Sequence, residues 1–507
     1  MKVRVRRKLL FLLLMSSLIL SAYPAKAESN EVKPIEWNSF SSVNPIDEDS
    51  VRIQKILLNS TQYGLTTWWK EEMDFESQKG SYLELGGTGE NAIRRPAAMS
   101  LGIAASLAFN VYDSSETGVS EFGAELKAQK LISSLAYRHK SNSPDGWGDE
   151  WQSAHWTYFA GFAGWLLWED LSSQDQEYIK EMVEYEADRF LDYEVPYWKD
   201  ESGTIIFEGD TKAEENAWNA QLLQLATAMM PNHENYLEWM NKNIELMISS
   251  AAVPSDLESN EVLHGRQVKD WVMGSNINED GTAVNHGFLH PDYMEFIAFN
   301  NTSGLHYSLA GLPVPKAAFH HSDLVYSSLS QMNFESPPYE SPGGTIYREG
   351  SSDIYYPEGN DWGTSRRMQF AVLDIFADVF QYDGMARNSG EYWESFHAEM
   401  VLAMQERHVD GRTYDERWED TYSGREEWIA HHAAWAWIAK WIDANGALCV
   451  SNTSYSIMNR EMEDKQCNKI SEVSFTEAFP SHPPQTLPPL FDKTHPWNGR
   501  SPLPPQH

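Results

Sequence analysis

A short segment in the middle of the chain concentrates side chains that can move protons. His286, His290 and Tyr293 lie within eight residues of one another, and histidine and tyrosine are suited to taking and giving protons in catalysis. For each histidine alone, a hydrogen-bonded structural cluster is an alternative. A zinc site is another, but Gly287 and Pro291 argue against the helix that a His-x3-His ligand pair would use. We therefore predict proton transfer here, and no metal.

Two amides lie near the start of a predicted helix. Asn216 and Asn219 are three residues apart and share a helix face, with Trp218 beside them. The neighbouring Glu214 and Glu215 are explained by the positive helix N-terminus. Two amides on an otherwise apolar helix are harder to explain by packing, so we expect them to contact a ligand.

Paired arginines stand at two further places. Arg366 and Arg367 lie at the predicted start of a helix, where the dipole does not favour a cation. This placement indicates an anionic partner. Arg94 and Arg95 have the same character, and we predict that they bind substrate.

These groups belong to five segments rich in glycine, tryptophan and polar side chains. The segments are 86–96, 145–156, 209–221, 276–294 and 355–367. They contain more tryptophan, amide, carboxylate, histidine and arginine side chains than a helix connection needs. Loops held by a rigid scaffold often carry function. We expect Trp147, Trp151 and Trp362 to stack on sugars, although any single tryptophan could equally fill the core.

The order of these groups resembles the helical toroid of secreted polysaccharide lyases. The resemblance is to hyaluronate, chondroitin and xanthan lyases and, more distantly, to heparinase II/III-like and alginate lyases. It covers roughly residues 209 to 367 and includes Asp280-Gly281-Thr282 followed by a histidine and a tyrosine, then Ser365-Arg366. It implies that Asn216 (or Asn219) neutralises a uronate carboxylate and that His286 and Tyr293 handle protons. It also implies that Arg366 supports the site and that no cofactor is required.

The remainder of the chain reads mainly as helices that would hold these loops. Helices are predicted at 97–109, 124–137, 155–168, 173–192, 214–230, 234–250, 315–332, 366–381, 391–406 and 425–443. Short hairpin strands are predicted at 204–207 and 345–348. Helices in neighbouring pairs with long loops predict an all-α fold, an α/α toroid or incomplete barrel of helical hairpins.

The two ends of the chain differ from its body. Residues 1–27 have a basic head, a 12-residue mostly apolar run and an Ala25-Lys26-Ala27 cleavage signal, which predicts a signal peptide and secretion. We predict a catalytic domain over 28–447 and a Pro-rich extended tail over 448–507. Cys449 and Cys467 either form a disulfide or remain free thiols.

The charge of the chain limits its partners. Six of the 39 basic residues and none of the 74 acidic residues fall in the first 27 positions, so the mature chain would carry a net charge of −41. Such a charge argues against nucleic acid, and mildly against an anionic substrate unless a basic pocket reverses the field locally. We predict a monomer without a membrane span. The acid-rich loops could hold a structural calcium ion.

We therefore predict a carbohydrate-active enzyme that cleaves a uronate-containing polysaccharide or oligosaccharide by β-elimination. A glycoside hydrolase on the same scaffold is the main alternative, and it needs two carboxylates across a cleft. Candidate carboxylates are Asp149, Glu150, Glu215, Asp280, Asp292 and Asp361. A third alternative is a non-enzymatic glycan-binding protein that uses the tryptophan loops.

Overall fold

The structure, a computed structural model, describes residues 31–455 and the short strand at 468–469, and these residues are mostly helical. The helices are α1 (Glu48–Tyr63), α2 (Glu90–Ala108), α3 (Ser114–Thr117), α4 (Glu121–Tyr137), α5 (Ser153–Leu166), α6 (Ser173–Asp188), α7 (Ala213–Met229), α8 (Tyr236–Ser250), α9 (Phe296–Asn301), α10 (Ser303–Ala310), α11 (Ser322–Ser330), α12 (Met368–Val379), α13 (Gly390–Gln405) and α14 (Arg425–Ala444). Helix α1 continues directly into a π-helical segment, Gly64–Glu72.

Six helical segments, one of which is the consecutive pair α9 and α10, contact one another in a cyclic order. Helix α2 packs on α5, α5 on α7, α7 on α9 and α10, α9 on α12, α12 on α14, and α14 again on α2. A second set, α1, α4, α6, α8, α11 and α13, packs against members of the first set. Every residue of α5 is buried, as expected for a helix that is apolar all round. A Cβ on Gly102 of α2 would lie 2.9 Å from the Ala430 carbonyl of α14, so glycine permits this close helix contact.

Four of the six helices of the second set have a side-chain N-cap, whereas α8 and α11 have none. In α1, α4, α6 and α13, a side chain of Asp47, Ser120, Ser172 or Ser389 accepts a backbone N–H of the first turn. In α2, α5, α12 and α14 the N-cap side chain makes no such bond. The first N–H groups of these four helices are therefore not capped in the usual way.

The described strands are short, two or three residues each. Antiparallel pairs join β1 (Lys199–Asp200) to β4 (Gly274–Ser275), β2 (Val262–Leu263) to β3 (Arg266–Gln267), and β5 (Val284–Asn285) to β6 (Phe288–Leu289). Strand β7 (Val314–Pro315) pairs in parallel with β8 (Cys449–Ser451), which pairs antiparallel with β9 (Asn468–Lys469). The expected hairpin segments 204–207 and 345–348 contribute only isolated bridges, Lys199 to Ile205 and Tyr347 to Ile354.

The predicted all-α class is confirmed, with differences at particular elements. The helix expected at 97–109 begins at Glu90, so Arg94 and Arg95 lie inside α2. The helix expected at 315–332 is a 3-10 turn (Lys316–Phe319) followed by α11, because His321 takes a left-handed φ of 55° between them.

The chain ends lie partly outside the described residues. The predicted signal peptide at 1–27 and most of the predicted tail, 456–467 and 470–507, cannot be compared with the structure. Cys449 is disulfide-bonded, and Cys467 is the only other cysteine in the sequence. None of the helices described is long and apolar enough to cross a membrane.

Candidate active site

The five polar segments all lead into helices of the cyclic set. They precede or open α2, α5, α7, α9 and α12. The loop 411–424 before α14 is a sixth segment of this kind, and the sequence did not single it out. Side-chain contacts show that these helix starts meet at one place.

Aromatic rings join the segments on one side of this place. The Trp151 ring lies 5.1 Å from that of Trp218 on α7, edge to face. Trp218 lies 5.8 Å from His155 on α5, which lies 6.3 Å from Trp428 on α14. Trp151 is 60% exposed whereas Trp218 is 3% exposed, so Trp151 offers an accessible face supported by a buried ring.

The series of contacting aromatic rings continues in the sixth segment, residues 411–424. Tyr422 contacts Trp428 and Trp362, each at 5.7 Å between ring centroids. Trp362 in turn lies 5.5 Å from the His286 ring. The Arg94 guanidinium stacks on Tyr422 at 4.5 Å. Rings and one guanidinium thus connect all six segments around a single site.

A linear hydrogen-bonded triad forms the polar centre of this site. Nδ1 of His286 lies 2.7 Å from Oδ2 of Asp361, and Nε2 of the same ring lies 3.0 Å from the Tyr293 hydroxyl. An ionised carboxylate only accepts hydrogen bonds, so Nδ1 of His286 carries the proton. In the neutral ring, Nε2 then accepts the hydroxyl proton of Tyr293.

The second oxygen of Asp361 is held by another histidine. His290, which is fully buried, places Nε2 3.1 Å from Oδ1 of Asp361. Burial opposes ionisation of Asp361, but hydrogen bonds from His286 and His290 outweigh it and hold the pKa of this carboxyl well below its usual range. Asp361 is therefore a carboxylate at any ordinary pH.

The backbone at His286 takes a conformation that is unusual for histidine. Its φ is 53°, in the left-handed region that non-glycine residues rarely adopt. The Asn285 side chain accepts the His286 N–H at 2.7 Å, and Gly209 accepts the Gly287 N–H at 2.9 Å. These bonds fix the β5–β6 turn against the segment before α7. Such conformations are concentrated at functional sites.

Tyr293 and Glu214 are both kept in their neutral forms. Burial, helped by the nearby Glu214, raises the pKa of Tyr293 well above its ordinary value. Burial and the neighbouring Glu295 raise the pKa of Glu214 to about 8, against the opposing charges of Arg94 and Arg366. Glu214 was read from the sequence only as a dipole-stabilising residue. The raised pKa of Glu214 was not expected, because Glu214 stands beside another glutamate, Glu215, in the first turn of a helix, where the helix dipole already explains both.

Arg366 is a buried cation between two carboxylates. Its Nε lies 3.3 Å from Oδ2 of Asp420, and its Nη1 lies 3.9 Å from Oδ2 of Asp292. The guanidinium also lies 5.4 Å from the ring centroid of Trp362 and 5.9 Å from that of Trp428. Arg366 therefore belongs to the site and is already paired within the protein.

The other arginines divide between the site and its surroundings. Arg94, in addition to its stack on Tyr422, donates to Gln152 at 2.9 Å. Arg95, the next residue on the helix, instead pairs with Glu427 at 2.7 Å. Arg367 lies 3.9 Å from Asp353. Of these three arginines, Arg94 is the one that contacts the series of aromatic rings, through Tyr422.

The predicted amides lie on other sides of α7. Asn216 is fully buried and donates to the Pro196 carbonyl at 3.0 Å, while its Oδ1 has no hydrogen bond. Residues two apart on a helix do not face each other, so Asn216 and Glu214 point in different directions. Asn219 is also buried, and its hydrogen bond with Tyr193 lowers the pKa of that phenol, although burial raises the pKa overall well above its ordinary value.

Trp147, Asp149 and Asp280 have contacts that explain them structurally. Trp147 is 1% exposed and donates Nε1 to the Leu135 carbonyl. Asp149 accepts from Lys140 and Tyr185. Asp280 accepts the backbone N–H and hydroxyl of Thr282 in a turn. Only Asp361 and Asp292 of the candidate carboxylates contact the histidine cluster.

The cluster could also be a ligand set. One donor atom from each of His286, His290 and Asp361 lies within 4.8 Å of the others, a spacing that a metal ion could bridge. A metal there would take Nδ1 of His286 away from its hydrogen bond with Asp361. The predicted calcium site in the acid-rich loops stays a prediction.

Comparisons with protein-family models, with curated proteins and with solved structures found no significant match to this chain. What the site does must therefore be argued from its own geometry.

Proposed function

We propose that this protein is a secreted polysaccharide lyase that cleaves a uronate-containing glycan by β-elimination. The observation that carries the proposal is the Asp361–His286–Tyr293 triad. It joins a permanent carboxylate, an imidazole of defined tautomer and a neutral phenol at a site lined by aromatic rings. This set suits the removal of a proton from carbon and its delivery to a leaving oxygen.

The cyclic helix contacts fit the architecture that such an enzyme would use. We propose that the six helical segments that contact one another in a ring form the inner layer of an α/α toroid, with α1, α4, α6, α8, α11 and α13 outside. The candidate site would then lie at the end of the toroid where the inner helices begin. Uncapped helix N-termini favour negative charge, which suits a uronate even though the whole chain is strongly acidic.

The proton-transfer step can be written with its atoms balanced. The Tyr293 proton moves to Nε2 of His286, and the phenolate oxygen takes the proton from C5 of the uronate. The electron pair forms the C4=C5 double bond as the C4–O bond breaks. The leaving oxygen takes a proton from Tyr293, which recovers its own from His286. Asp361 stabilises the transient imidazolium.

The uronate carboxylate must be neutralised for its C5 proton to become acidic. Arg94 and the protonated Glu214 are the groups near Tyr293 that can donate to it: Arg94 pairs with Glu90, but its buried Nε has no hydrogen-bond partner among the described residues. Preorganised donors of this kind stabilise the charge that develops in the transition state. The resemblance implies this role for Asn216. Its side-chain amide would first have to leave its hydrogen bond with the Pro196 carbonyl.

A glycoside hydrolase is the second candidate, and one observation favours it. Glu214 has a pKa of about 8, whereas Asp361 is ionised at any ordinary pH. Two carboxyl groups whose pKa values are pushed apart are the signature of a general acid and its partner base or nucleophile.

The product distinguishes the two reactions. Elimination leaves an unsaturated uronate whose double bond absorbs ultraviolet light, whereas hydrolysis leaves reducing ends without this absorbance. The purified protein should be incubated with a panel of uronate polymers and neutral glycans. Absorbance that rises on a uronate polymer supports the lyase. Reducing ends released from a neutral glycan without this absorbance would contradict the lyase proposal and support the hydrolase.

A further inference from the structure

A second histidine–carboxylate cluster lies outside the candidate active site. Asp256 belongs to the 3-10 turn Pro254–Glu258 that follows α8, and His320 and His321 lie between the 3-10 turn Lys316–Phe319 and α11. Nε2 of His320 lies 3.1 Å from Oδ2 of Asp256, and Nε2 of His321 lies 2.9 Å from the same oxygen. Two turns that lie about 60 residues apart in the sequence thus meet at the Asp256 carboxylate.

The cluster is shielded and its donors converge. Asp256 is 4% exposed and His320 is 7% exposed, while the His321 side chain retains 17% exposure. The two imidazole centroids lie 3.9 Å apart, and one donor atom from each of the three residues lies within 4.8 Å of the others. Two bonds of about 2.0–2.1 Å at a tetrahedral angle hold their donor atoms about 3.3 Å apart. The nitrogen–oxygen separations are close to that value.

The backbone also departs from its usual preferences to build this arrangement. His321 has a φ of 55°, and a non-glycine residue in this left-handed region costs of order 1 kcal/mol. The turn directs two consecutive histidines at the same carboxylate, which an extended or helical backbone would not do. Helix α11 begins immediately afterwards without a capping side chain.

We propose that Asp256, His320 and His321 form a binding site for a divalent transition-metal ion, with Zn²⁺ as the best-suited ion. Two imidazoles and one carboxylate suit zinc, whereas calcium and magnesium prefer oxygen ligands alone. The partly open side of His321 leaves room for water as a fourth ligand. The ion would fasten the α8 connection to the start of α11.

Two substitutions remove a ligand while preserving the local fold. Asparagine tolerates the left-handed region, so His321→Asn removes the imidazole without adding backbone strain. Asp256→Asn removes the charge but keeps an oxygen that can accept the Val253 N–H, a bond of 3.1 Å in the wild-type protein. Asp361→Asn is the matched control, because Asp361 belongs to the other histidine–carboxylate cluster.

The test is a calorimetric titration of chelator-stripped protein with Zn²⁺, with Co²⁺ visible spectra as a second readout. We expect the wild-type protein and Asp361→Asn to bind an equivalent of Zn²⁺ that Asp256→Asn and His321→Asn lose. We also expect Zn²⁺ to raise the melting temperature of the first two proteins alone. If stripped wild-type protein binds no Zn²⁺, or if both ligand variants bind it as the wild type does, the proposal is overturned. Loss confined to Asp361→Asn would also overturn it.

Far-UV circular dichroism of the metal-free proteins separates loss of a ligand from loss of the fold. Asp256→Asn and His321→Asn should match metal-free wild type. If one of them is unfolded, the other decides the outcome, since each removes a different ligand. The proposal does not depend on the reaction at the Tyr293 site, so its failure would leave the lyase assignment unaffected.

Discussion

The phenolic oxygen of Tyr293 lies 3.0 Å from Nε2 of His286, whose Nδ1 lies 2.7 Å from Oδ2 of Asp361. These two hydrogen bonds define the path along which a proton can move. Asp361 holds Nδ1 protonated, so Nε2 is the atom that can take the Tyr293 proton. Tyr293 has its pKa raised by burial, so its phenolate, once formed, is a strong base.

Replacing Asp361 should impair proton transfer without removing the histidine. Asp361→Asn removes the negative charge that stabilises the imidazolium form of His286. We expect kcat to fall about 10²–10⁴-fold, the usual contribution of general acid–base catalysis. Asp353→Asn, at a carboxylate just before the 355–367 segment that is 78% exposed, should keep nearly full activity. A loss of less than about fivefold for Asp361→Asn would contradict the role given to this residue.

Glu214 should make the protein less stable as the pH rises. Its pKa in the folded protein is about 8, above the ordinary 4.5. The folded state therefore holds this proton more tightly, and the stability it contributes is present below about pH 4.5 and lost as the pH rises toward 8. Glu214→Gln is neutral throughout. Its stability relative to wild type should increase by about 1–3 kcal/mol between pH 5 and pH 8, measured by urea unfolding.

The control for this measurement is Glu208→Gln, at an exposed position before α7. It should show no such change with pH. If Glu214→Gln and Glu208→Gln follow wild type equally across this range, Glu214 is ionised in the folded protein and cannot donate a proton to substrate.

Arg366 should be needed for stability because of its two buried partners. Arg366→Gln leaves Asp420 and Asp292 without their cation, and breaking a buried pair in this way costs about 3–5 kcal/mol. Arg387→Gln removes an arginine that is 76% exposed and pairs with Glu349 at 3.8 Å. That change should cost no more than about 1 kcal/mol. Denaturant unfolding of both variants provides the comparison, and equal costs would show that Arg366 is not effectively buried.

Trp151 should contribute to substrate binding more than to folding. Its ring is 60% exposed and rests on Trp218, so it can stack on a sugar. Trp151→Ala should raise KM about 3–10-fold, equivalent to about 1 kcal/mol of aromatic contact, with little change in melting temperature. Phe122→Ala, at a ring that is 68% exposed on α4, should leave KM unchanged. An unchanged KM for Trp151→Ala would remove this ring from the binding surface.

The helices could be predicted wherever apolar periodicity was strong. The prediction of 425–443 matches α14 at Arg425–Ala444, and 234–250 overlaps α8 at Tyr236–Ser250. Two features were not predictable in this way. Pro96 was expected to precede its helix but lies inside α2. His321 interrupts what looked like one helix, because tertiary contacts with Asp256 hold it in a left-handed conformation.

The site was predictable in part, for a physical reason. His286, His290 and Tyr293 are close in sequence, so their meeting could be expected from spacing alone. Asp361 was named as a candidate carboxylate of a hydrolase and not as a partner of His286, because that partnership depends on contacts between segments 75 residues apart. The raised pKa of Glu214 depends on burial and on Glu295, neither of which leaves a sign in local sequence.

The role of Tyr293 in proton transfer is tested by the ultraviolet absorbance that Tyr293→Phe produces on a uronate polymer that the wild-type protein cleaves. This change removes one oxygen and leaves the ring in place. The matched control is Tyr82→Phe, at a tyrosine stacked on Tyr137 away from the site. We expect Tyr293→Phe to form double bonds at least about 100-fold more slowly than the wild-type protein, and Tyr82→Phe to retain the wild-type rate. Equal rates for Tyr293→Phe and wild type would contradict the proposal that Tyr293 transfers the proton.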